Sequence, residues 1–118
     1  MTAEDKLQAA CVKWFRLQYP HLVLFAIPNG GQRNAITGAT LKKTGTLAGV
    51  ADLFLMVDRW SPLSEECFMG LFIEMKVGKN QLTESQKWFM TKAILHGYGY
   101  EICRSFDEFK ATIENYLA

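Results

Sequence analysis

Long apolar runs and an excess of charge of either sign are both missing from this sequence. None of its 118 residues belongs to an apolar run long enough to span a bilayer. The N-terminus is charged and amphipathic, which is not the pattern of a secretory signal peptide. The formal net charge is only +1, so a nucleic-acid partner would have to bind a local basic patch. We therefore expect a cytoplasmic protein without a membrane partner.

Cysteine is also scarce. The three cysteines are odd in number, far apart in the chain and not arranged as CxxC: Cys11, Cys67 and Cys103. This pattern suggests neither a zinc site nor a disulfide framework. Reduced thiols, as in a cytosolic protein, are the simplest interpretation.

Helical and strand-like segments alternate along the chain, which predicts an α/β fold. Hydrophobic residues make up 49% of the sequence, and repeats, low-complexity tracts and linkers are absent, so residues 1–118 are predicted to form one domain. The order is helix, three strands, helix, strand, helix. The predicted elements are a helix that Thr2 to Asp5 caps and Pro20 ends, strands at 21–27, 50–57 and 70–77, a helix at 83–96, a strand at 98–103 and a helix at 105–117.

Polar and glycine-rich stretches mark the connections. Residues 28–49 hold five of the nine glycines and predict a long loop with one helical turn at 40–44, and residues 58–69 predict a hairpin loop. Capping boxes at Thr83 to Gln86 and Ser105 to Glu108 predict two helix starts, and Gly97 predicts a helix end. The strands at 50–57 and 70–77 are apolar on both faces, which predicts a sheet covered by helices on each side.

Charged residues interrupt two of these apolar strands. Glu74 and Lys76 share one strand face with Phe72, and Asp52 lies in the preceding strand. Buried charges are costly unless something compensates them. If the two strands are neighbours, Asp52 approaches Glu74, and a divalent cation such as Mg²⁺ would relieve the repulsion. Two acids, a lysine and a metal suit phosphodiester hydrolysis, with Lys76 acting on water or phosphate.

Two motifs in these strands resemble those of the PD-(D/E)xK nucleases, and the closer resemblance is to the VRR-NUC family. The motifs are Gly49-Val50-Ala51-Asp52 and Ile73-Glu74-Met75-Lys76. Four further features fit that family: Glu4, the segment 27–31, Gln86 and the pair Gly97-Tyr98. The resemblance spans nearly the whole chain. Its one departure is Ala51, where the family usually has proline, and this removes a backbone constraint but no ligand.

The resemblance implies a restriction-endonuclease-like fold with an αβββαβ core and a central mixed sheet flanked by helices. It also implies that Asp52 and Glu74 bind Mg²⁺ or Mn²⁺ together with the backbone carbonyl of Met75. Glu4 would reach the metal directly or through water. Lys76 would be the catalytic lysine, and Gln86 would support the site.

The implied activity is a metal-dependent endonuclease that hydrolyses DNA. The resemblance to small stand-alone phage proteins further implies branched or Holliday-junction-like substrates, a homodimer and the cytoplasm of a host cell. Phosphate contacts are predicted for a set of polar and basic residues near the site in sequence. They are Asn29, Gly30, Arg33, Lys42, Lys43, Lys79 and Lys87.

Other interpretations of these residues stay open. Glu74 and Lys76 are alternatively a solvent-facing pair on an edge strand, and Asp52 alternatively caps a turn. Glu4 alternatively only favours its helix N-terminus, and Gln86 alternatively completes a capping box, a role compatible with supporting the site. Two alternative functions follow. One is a catalytically inactive nucleic-acid-binding module of the same fold, and the other is an assembly protein in which Glu74 and Lys76 pair for fold specificity.

Overall fold

A mixed four-stranded sheet forms the centre of the structure, a computed structural model that describes residues 1–28, 39–40 and 42–118. The helices are α1 (Ala3–Gln18), α2 (Glu84–Leu95) and α3 (Phe106–Leu117); the strands are β1 (Leu24–Ala26), β2 (Leu53–Leu55), β3 (Arg59–Ser61), β4 (Glu66–Phe68), β5 (Leu71–Met75) and β6 (Gly99–Cys103). The strand order is β1-β2-β5-β6. The first three strands run antiparallel and β6 runs parallel to β5, which confirms the predicted mixed sheet.

One face of the sheet carries the aliphatic core. Leu53, Leu55, Leu71, Ile73 and Met75 are almost fully buried there. They pack with residues of α1 and α3, namely Cys11, Phe15, Phe109, Ile113 and Tyr116. Since side chains alternate along a strand, every second residue of β2 and β5 belongs to this core and the residues between them face the other way.

The opposite face carries aromatic rings under α2. Phe72 lies 4.6 Å from Phe54 and 5.0 Å from Phe89, measured between ring centroids. The second of these pairs is edge-to-face, an arrangement that aromatic rings favour. The ring of Phe89 therefore holds α2 over β5, and the first turn of α2 lies near the end of that strand.

Short-range hydrogen bonds set the helix ends where the capping patterns predicted them. The side chains of Thr2 and Thr83 each accept a hydrogen bond from the backbone N–H of the third helical residue. The backbone N–H of each threonine in turn donates to the side chain of that residue, which completes both capping boxes. At α3, Ser105 accepts from the Glu108 N–H, but the Glu108 carboxylate accepts from the Arg104 N–H instead, so only half of that box forms. Gly97 follows α2 with φ +89°, where glycine is favoured.

Several predicted strand boundaries are wrong. The strands predicted at 21–27, 50–57 and 70–77 are shorter, since regular pairing covers only Leu24–Ala26, Leu53–Leu55 and Leu71–Met75. The predicted loop at 58–69 forms its own hairpin of β3 and β4. The predicted turn at 40–44 is supported by the Thr44 N–H, which donates to the Thr40 carbonyl at 3.0 Å.

The described parts of the chain show two further features that bear on the predictions. None of their helices is long and apolar enough to cross a membrane. All three cysteines are free, as predicted, and burial raises the pKa of Cys11 and of Cys103 to about 11. A buried thiol with a raised pKa is poorly ionised at neutral pH, so these two are expected to be unreactive.

Candidate active site

Asp52 lies in a bend just before β2, and not inside a strand as predicted. Regular pairing of β2 with β5 ends at Leu53 and Ile73. Beyond that pair, the Met75 N–H donates to Asp52 Oδ2 at 2.7 Å, while the Asp52 carbonyl accepts from Ile27 at 2.8 Å. The Asp52 carboxylate thus accepts the hydrogen bond from the Met75 N–H, in the place where a backbone carbonyl would accept it in a continued strand. This contact goes to another strand, so Asp52 does more than cap its own turn.

Glu74 is the most deeply buried acid of the site, with only 2% of its surface exposed. Gln86 Nε2 donates to Glu74 Oε2 at 3.2 Å. The other oxygen, Oε1, is buried and has no hydrogen-bond partner. Burial first, then the nearby charge of Asp52, raises the pKa of Glu74 to about 9, although Lys76 opposes the shift. Burial of Glu74 excludes the solvent-facing alternative.

Lys76 directly follows β5 and is 8% exposed. Within residues 1–28, 39–40 and 42–118, its ammonium makes no ion pair, since the one salt bridge there joins Lys87 to Glu84. The charge of Lys76 nevertheless opposes the rise in the pKa of both Glu74 and Glu4, so its ammonium lies near both carboxyl groups. The Glu74–Lys76 ion pair that the assembly-protein alternative requires is therefore not formed among the described residues.

Glu4 reaches the same cluster from the first turn of α1. Its side chain is half-buried, and burial, followed by the charge of Asp52, raises the pKa of its carboxyl group above the ordinary value. Asp5, its neighbour, instead completes the capping box with Thr2. The capping role therefore belongs to Asp5, whereas Glu4 lies both in the first turn of α1 and near the carboxylate of Asp52, so its helix-terminus and site roles are compatible.

The N-terminus of α2 and the loop before β2 are fitted tightly to each other. Gln86 has two contacts at once: its Oε1 accepts from the Thr83 N–H at 2.9 Å, and its Nε2 donates to Glu74. Gly49 has φ +89°, and a Cβ atom at this position would lie 2.4 Å from the carbonyl oxygen of Ser85. Glycine is therefore required where the loop that carries Asp52 meets the helix that carries Gln86.

The predicted phosphate contacts lie in different surroundings. Lys42, Lys43, Lys79 and Lys87 are exposed. Lys87 is 3.4 Å from Glu84 in a pair on the surface of α2, which offsets part of its charge. Asn29, Gly30 and Arg33 are outside the described residues.

Tyr100 is a neighbour of the site that the sequence patterns did not indicate. It lies in β6, and its hydroxyl is buried without a hydrogen-bond partner. Burial raises the pKa of its phenol, and the charges of Glu74 and Asp52 raise it further. A single tyrosine in an apolar strand has no spacing that marks it, so only the pairing of β6 with β5 reveals its position.

The donor groups suit a hard divalent cation. Asp52 and Glu74 are adjacent carboxylates, and Glu74 Oε1 is buried without a partner. In the described part of the chain, no group of three acidic, histidine or cysteine side chains could hold an ion. Mg²⁺ fits such a pair, because it is often bound by one or two carboxylates and keeps several waters.

A cavity of about 580 Å³ lies elsewhere, among residues of the hairpin, β6, the end of α2 and α3. Asp52, Glu74 and Lys76 do not line it. The carboxylates lie at the end of the sheet where β2 begins and β5 ends, whereas the hairpin joins the other ends of those strands. The candidate site is therefore a cluster at the sheet end and not this cavity.

The fold defines a class of protein: an α/β domain with a four-stranded mixed sheet flanked by helices, which is consistent with the PD-(D/E)xK nuclease superfamily. The sequence model of the VRR-NUC domain matches residues 2–107, and the chain belongs to the VRR-NUC domain family. Ala51, the departure from the family pattern, is fully buried beside Asp52. Membership in this family indicates a nuclease-type function.

A solved structure described as a VRR_NUC domain protein has the same fold. It superposes with a TM-score of 0.76 and covers 99% of this chain and 89% of its own. The two sequences are 22% identical, so this comparison supports the fold alone. No curated protein matches the chain.

Proposed function

We propose that this protein is a metal-dependent endonuclease that hydrolyses phosphodiester bonds of DNA. The observation that carries the proposal is the collection of charges at the sheet end. Glu74 is buried beside Asp52 with one oxygen unpartnered, and Lys76 is buried without an ion pair among the described residues. Such an arrangement costs free energy in a folded protein, and a bound cation and phosphate would offset that cost.

Asp52 and Glu74 would hold Mg²⁺ or Mn²⁺, with the backbone carbonyl of Met75 as a further oxygen ligand. A divalent ion bound there would polarise a phosphoryl oxygen and neutralise part of its charge. Glu4, half-buried at the start of α1, would act through a metal-bound water. Gln86, which donates to Glu74 Oε2, would keep that carboxylate oriented.

Lys76 would act on the substrate itself. Its ammonium has three N–H donors. They would hydrogen-bond the attacking water and stabilise the negative charge that develops on the phosphoryl oxygens. Because Lys76 is 8% exposed, this charge acts in surroundings that screen it less than bulk water does.

The substrate is proposed to be branched or Holliday-junction-like DNA, cut by a homodimer. This finer proposal rests on the resemblance to stand-alone members of the family. A four-way junction has two-fold symmetry, which a symmetric dimer would match. The exposed lysines, Lys42, Lys43, Lys79 and Lys87, would contact phosphates outside the cut site.

The test is a cleavage assay on linear, flap and four-way-junction DNA with Mg²⁺, Mn²⁺ or EDTA. We expect cutting that needs the divalent ion and is fastest on the junction. Lys76→Ala is expected to slow cutting by about 10²–10³-fold, the usual cost of losing one charge-stabilising donor. Lys110→Ala, which removes an exposed lysine of α3 that is assigned no DNA contact, is the control and should keep most of the rate.

Each other outcome contradicts a different part of the proposal. Undiminished cutting by Lys76→Ala would remove the role assigned to that lysine. DNA binding without cutting of any substrate would favour the inactive binding module. Equal rates on all three DNAs would exclude junction selectivity, and a monomer in light scattering would exclude the dimer.

A further inference from the structure

Tyr100 lies on the face of the sheet that carries Glu74. In the parallel pairing of β5 with β6, Phe72 is opposite Tyr100 and Glu74 is opposite Ile102. Paired residues point to the same face, and so do residues two apart on one strand. Tyr100 is therefore the diagonal neighbour of Glu74, and an aromatic side chain is long enough to reach across such a diagonal.

Two buried polar atoms without partners belong to this diagonal. Over the described ranges, three buried side-chain polar atoms lack a hydrogen-bond partner: Glu74 Oε1, the Tyr100 hydroxyl and Arg59 Nε. Burial, followed by the charge of Glu74, raises the pKa of the Tyr100 phenol, in agreement with the diagonal position that the strand register gives. They are not in direct contact, since neither atom has the other as a hydrogen-bond partner.

We infer that Tyr100 is a positioning residue of the proposed nuclease site, and that its hydroxyl holds Glu74 Oε1 through one buried water. Buried waters characteristically bridge polar groups of this kind that the protein leaves unpaired. Gln86 already holds Oε2, so the water would fix the other end of the carboxylate. A carboxylate oxygen has two lone-pair sites, which leaves one on Oε1 for a cation.

This inference rests on the proposed function, because an oriented Glu74 matters most when it binds a metal. Groups that orient a metal ligand typically change metal affinity or activity by about 10–100-fold. The phenol would neither touch substrate nor transfer a proton. Its contribution would be to fix the orientation of the Glu74 carboxylate before the metal ion binds.

The variant that tests it is Tyr100→Phe, which keeps the ring and removes the hydroxyl. Tyr98→Phe is the matched control, because Tyr98 packs on Phe54 and Phe72 and precedes β6, four residues before Ile102, the partner of Glu74. Calorimetric titration of the metal-free protein with Mn²⁺ should show binding about 10-fold weaker for Tyr100→Phe and unchanged for Tyr98→Phe. Cleavage by Tyr100→Phe should need correspondingly more Mn²⁺ and return close to the wild-type rate at saturation.

A purely packing role for Tyr100 would give a different result. Mn²⁺ affinity of Tyr100→Phe equal to that of the wild type would overturn the inference, even if the wild type cuts DNA as proposed. If the wild type neither binds Mn²⁺ nor cuts DNA, the proposed function fails separately. A high-resolution crystal structure of the metal-free protein then decides: water density between the hydroxyl and Oε1 supports the bridge, and its absence refutes it.

Discussion

At the scale of single residues, burial decides the chemistry of the site. Glu74 is 2% exposed and close to the carboxylate of Asp52. Both effects disfavour its charged form, so its pKa rises to about 9 in the folded protein. The same carboxyl group in an unfolded chain keeps its ordinary pKa. The metal-free protein therefore keeps Glu74 protonated at neutral pH, and a bound cation would favour the loss of that proton.

One consequence is an inverted pH dependence of stability. Between the ordinary value of 4.5 and about 9, folded Glu74 binds more protons than unfolded Glu74. The free energy of unfolding of the metal-free protein should consequently fall as pH rises through this window. Glu74→Gln, which cannot ionise, should remove most of that fall, whereas Glu84→Gln on the exposed surface of α2 should not. Urea denaturation in EDTA at several pH values in this window measures the free energy of unfolding. If that free energy falls equally steeply with pH in the wild type and in Glu74→Gln, the raised pKa is not that of Glu74.

At the scale of secondary-structure elements, the site depends on how α2 meets the loop before β2. One side chain, Gln86, both caps the helix and holds Glu74. One backbone position, Gly49, allows the loop to touch the helix. Substitutions at Gln86 and Gly49 should distinguish effects on the stability of the fold from effects on the geometry of the site.

Gln86→Glu separates the two contacts of that side chain. Glutamate can still accept from the Thr83 N–H, so the capping box survives. It cannot donate to Glu74 and places a second carboxylate beside it, so we expect cutting to slow by about 10-fold or more. Thr83→Ala is the converse control, with a loss of about 1 kcal/mol of stability and Glu74 still held. Cleavage rates and urea denaturation of both variants provide the comparison, and equal cutting by Gln86→Glu and wild type would refute the Gln86–Glu74 role.

Gly49→Ala should destabilise the protein because the new methyl group meets the Ser85 carbonyl. The left-handed backbone costs alanine about 1–2 kcal/mol, and overpacking adds about 1–3 kcal/mol. Gly78→Ala is the matched control, since Gly78 has φ +58° and open space around it. It should show the backbone cost alone in urea denaturation. Equal losses for the two variants would mean that the loop and α2 are not in tight contact.

At the scale of the whole molecule, two different layers hold the sheet. The aliphatic face packs on α1 and α3, whereas the aromatic face packs on α2. The site lies at the sheet end, where the first turns of α1 and α2 contribute Glu4 and Gln86. The geometry of the site therefore depends on packing at both the aliphatic and the aromatic face of the sheet, although the packed residues are not themselves site residues.

The aliphatic layer should carry much of the stability. Phe109 is fully buried and edge-to-face with Trp14. Phe109→Ala is expected to cost about 3–5 kcal/mol, a large share of the roughly 5–15 kcal/mol typical of a domain. Leu63→Ala, at a position that is 99% exposed, should change stability by less than about 0.5 kcal/mol. Chemical denaturation of the two variants tests this, and a loss below about 1 kcal/mol for Phe109→Ala would contradict the assigned core.

What was predictable differs between helices and strands. Capping boxes involve residues three apart, so the starts of α1 and α2 were readable from Thr2 and Thr83. The ends of the strands could not be predicted in this way, because a strand ends where the neighbouring strand no longer runs alongside it. Asp52 lies outside β2 for this reason, and the hairpin of β3 and β4 forms by pairing with itself within the connection.

The sequence by itself determined the order of the three helices and the four strands of the main sheet, and it placed two acids and a lysine next to apolar strands, since these follow from local spacing and composition. Only the tertiary structure decided how those groups meet. The hydrogen bond between Asp52 and Met75 joins residues 23 positions apart in the sequence, and the one between Gln86 and Glu74 joins residues 12 positions apart. Tyr100 enters the neighbourhood through strand pairing alone. The physical reason is that burial and charge proximity are properties of the packed chain and have no counterpart in local spacing.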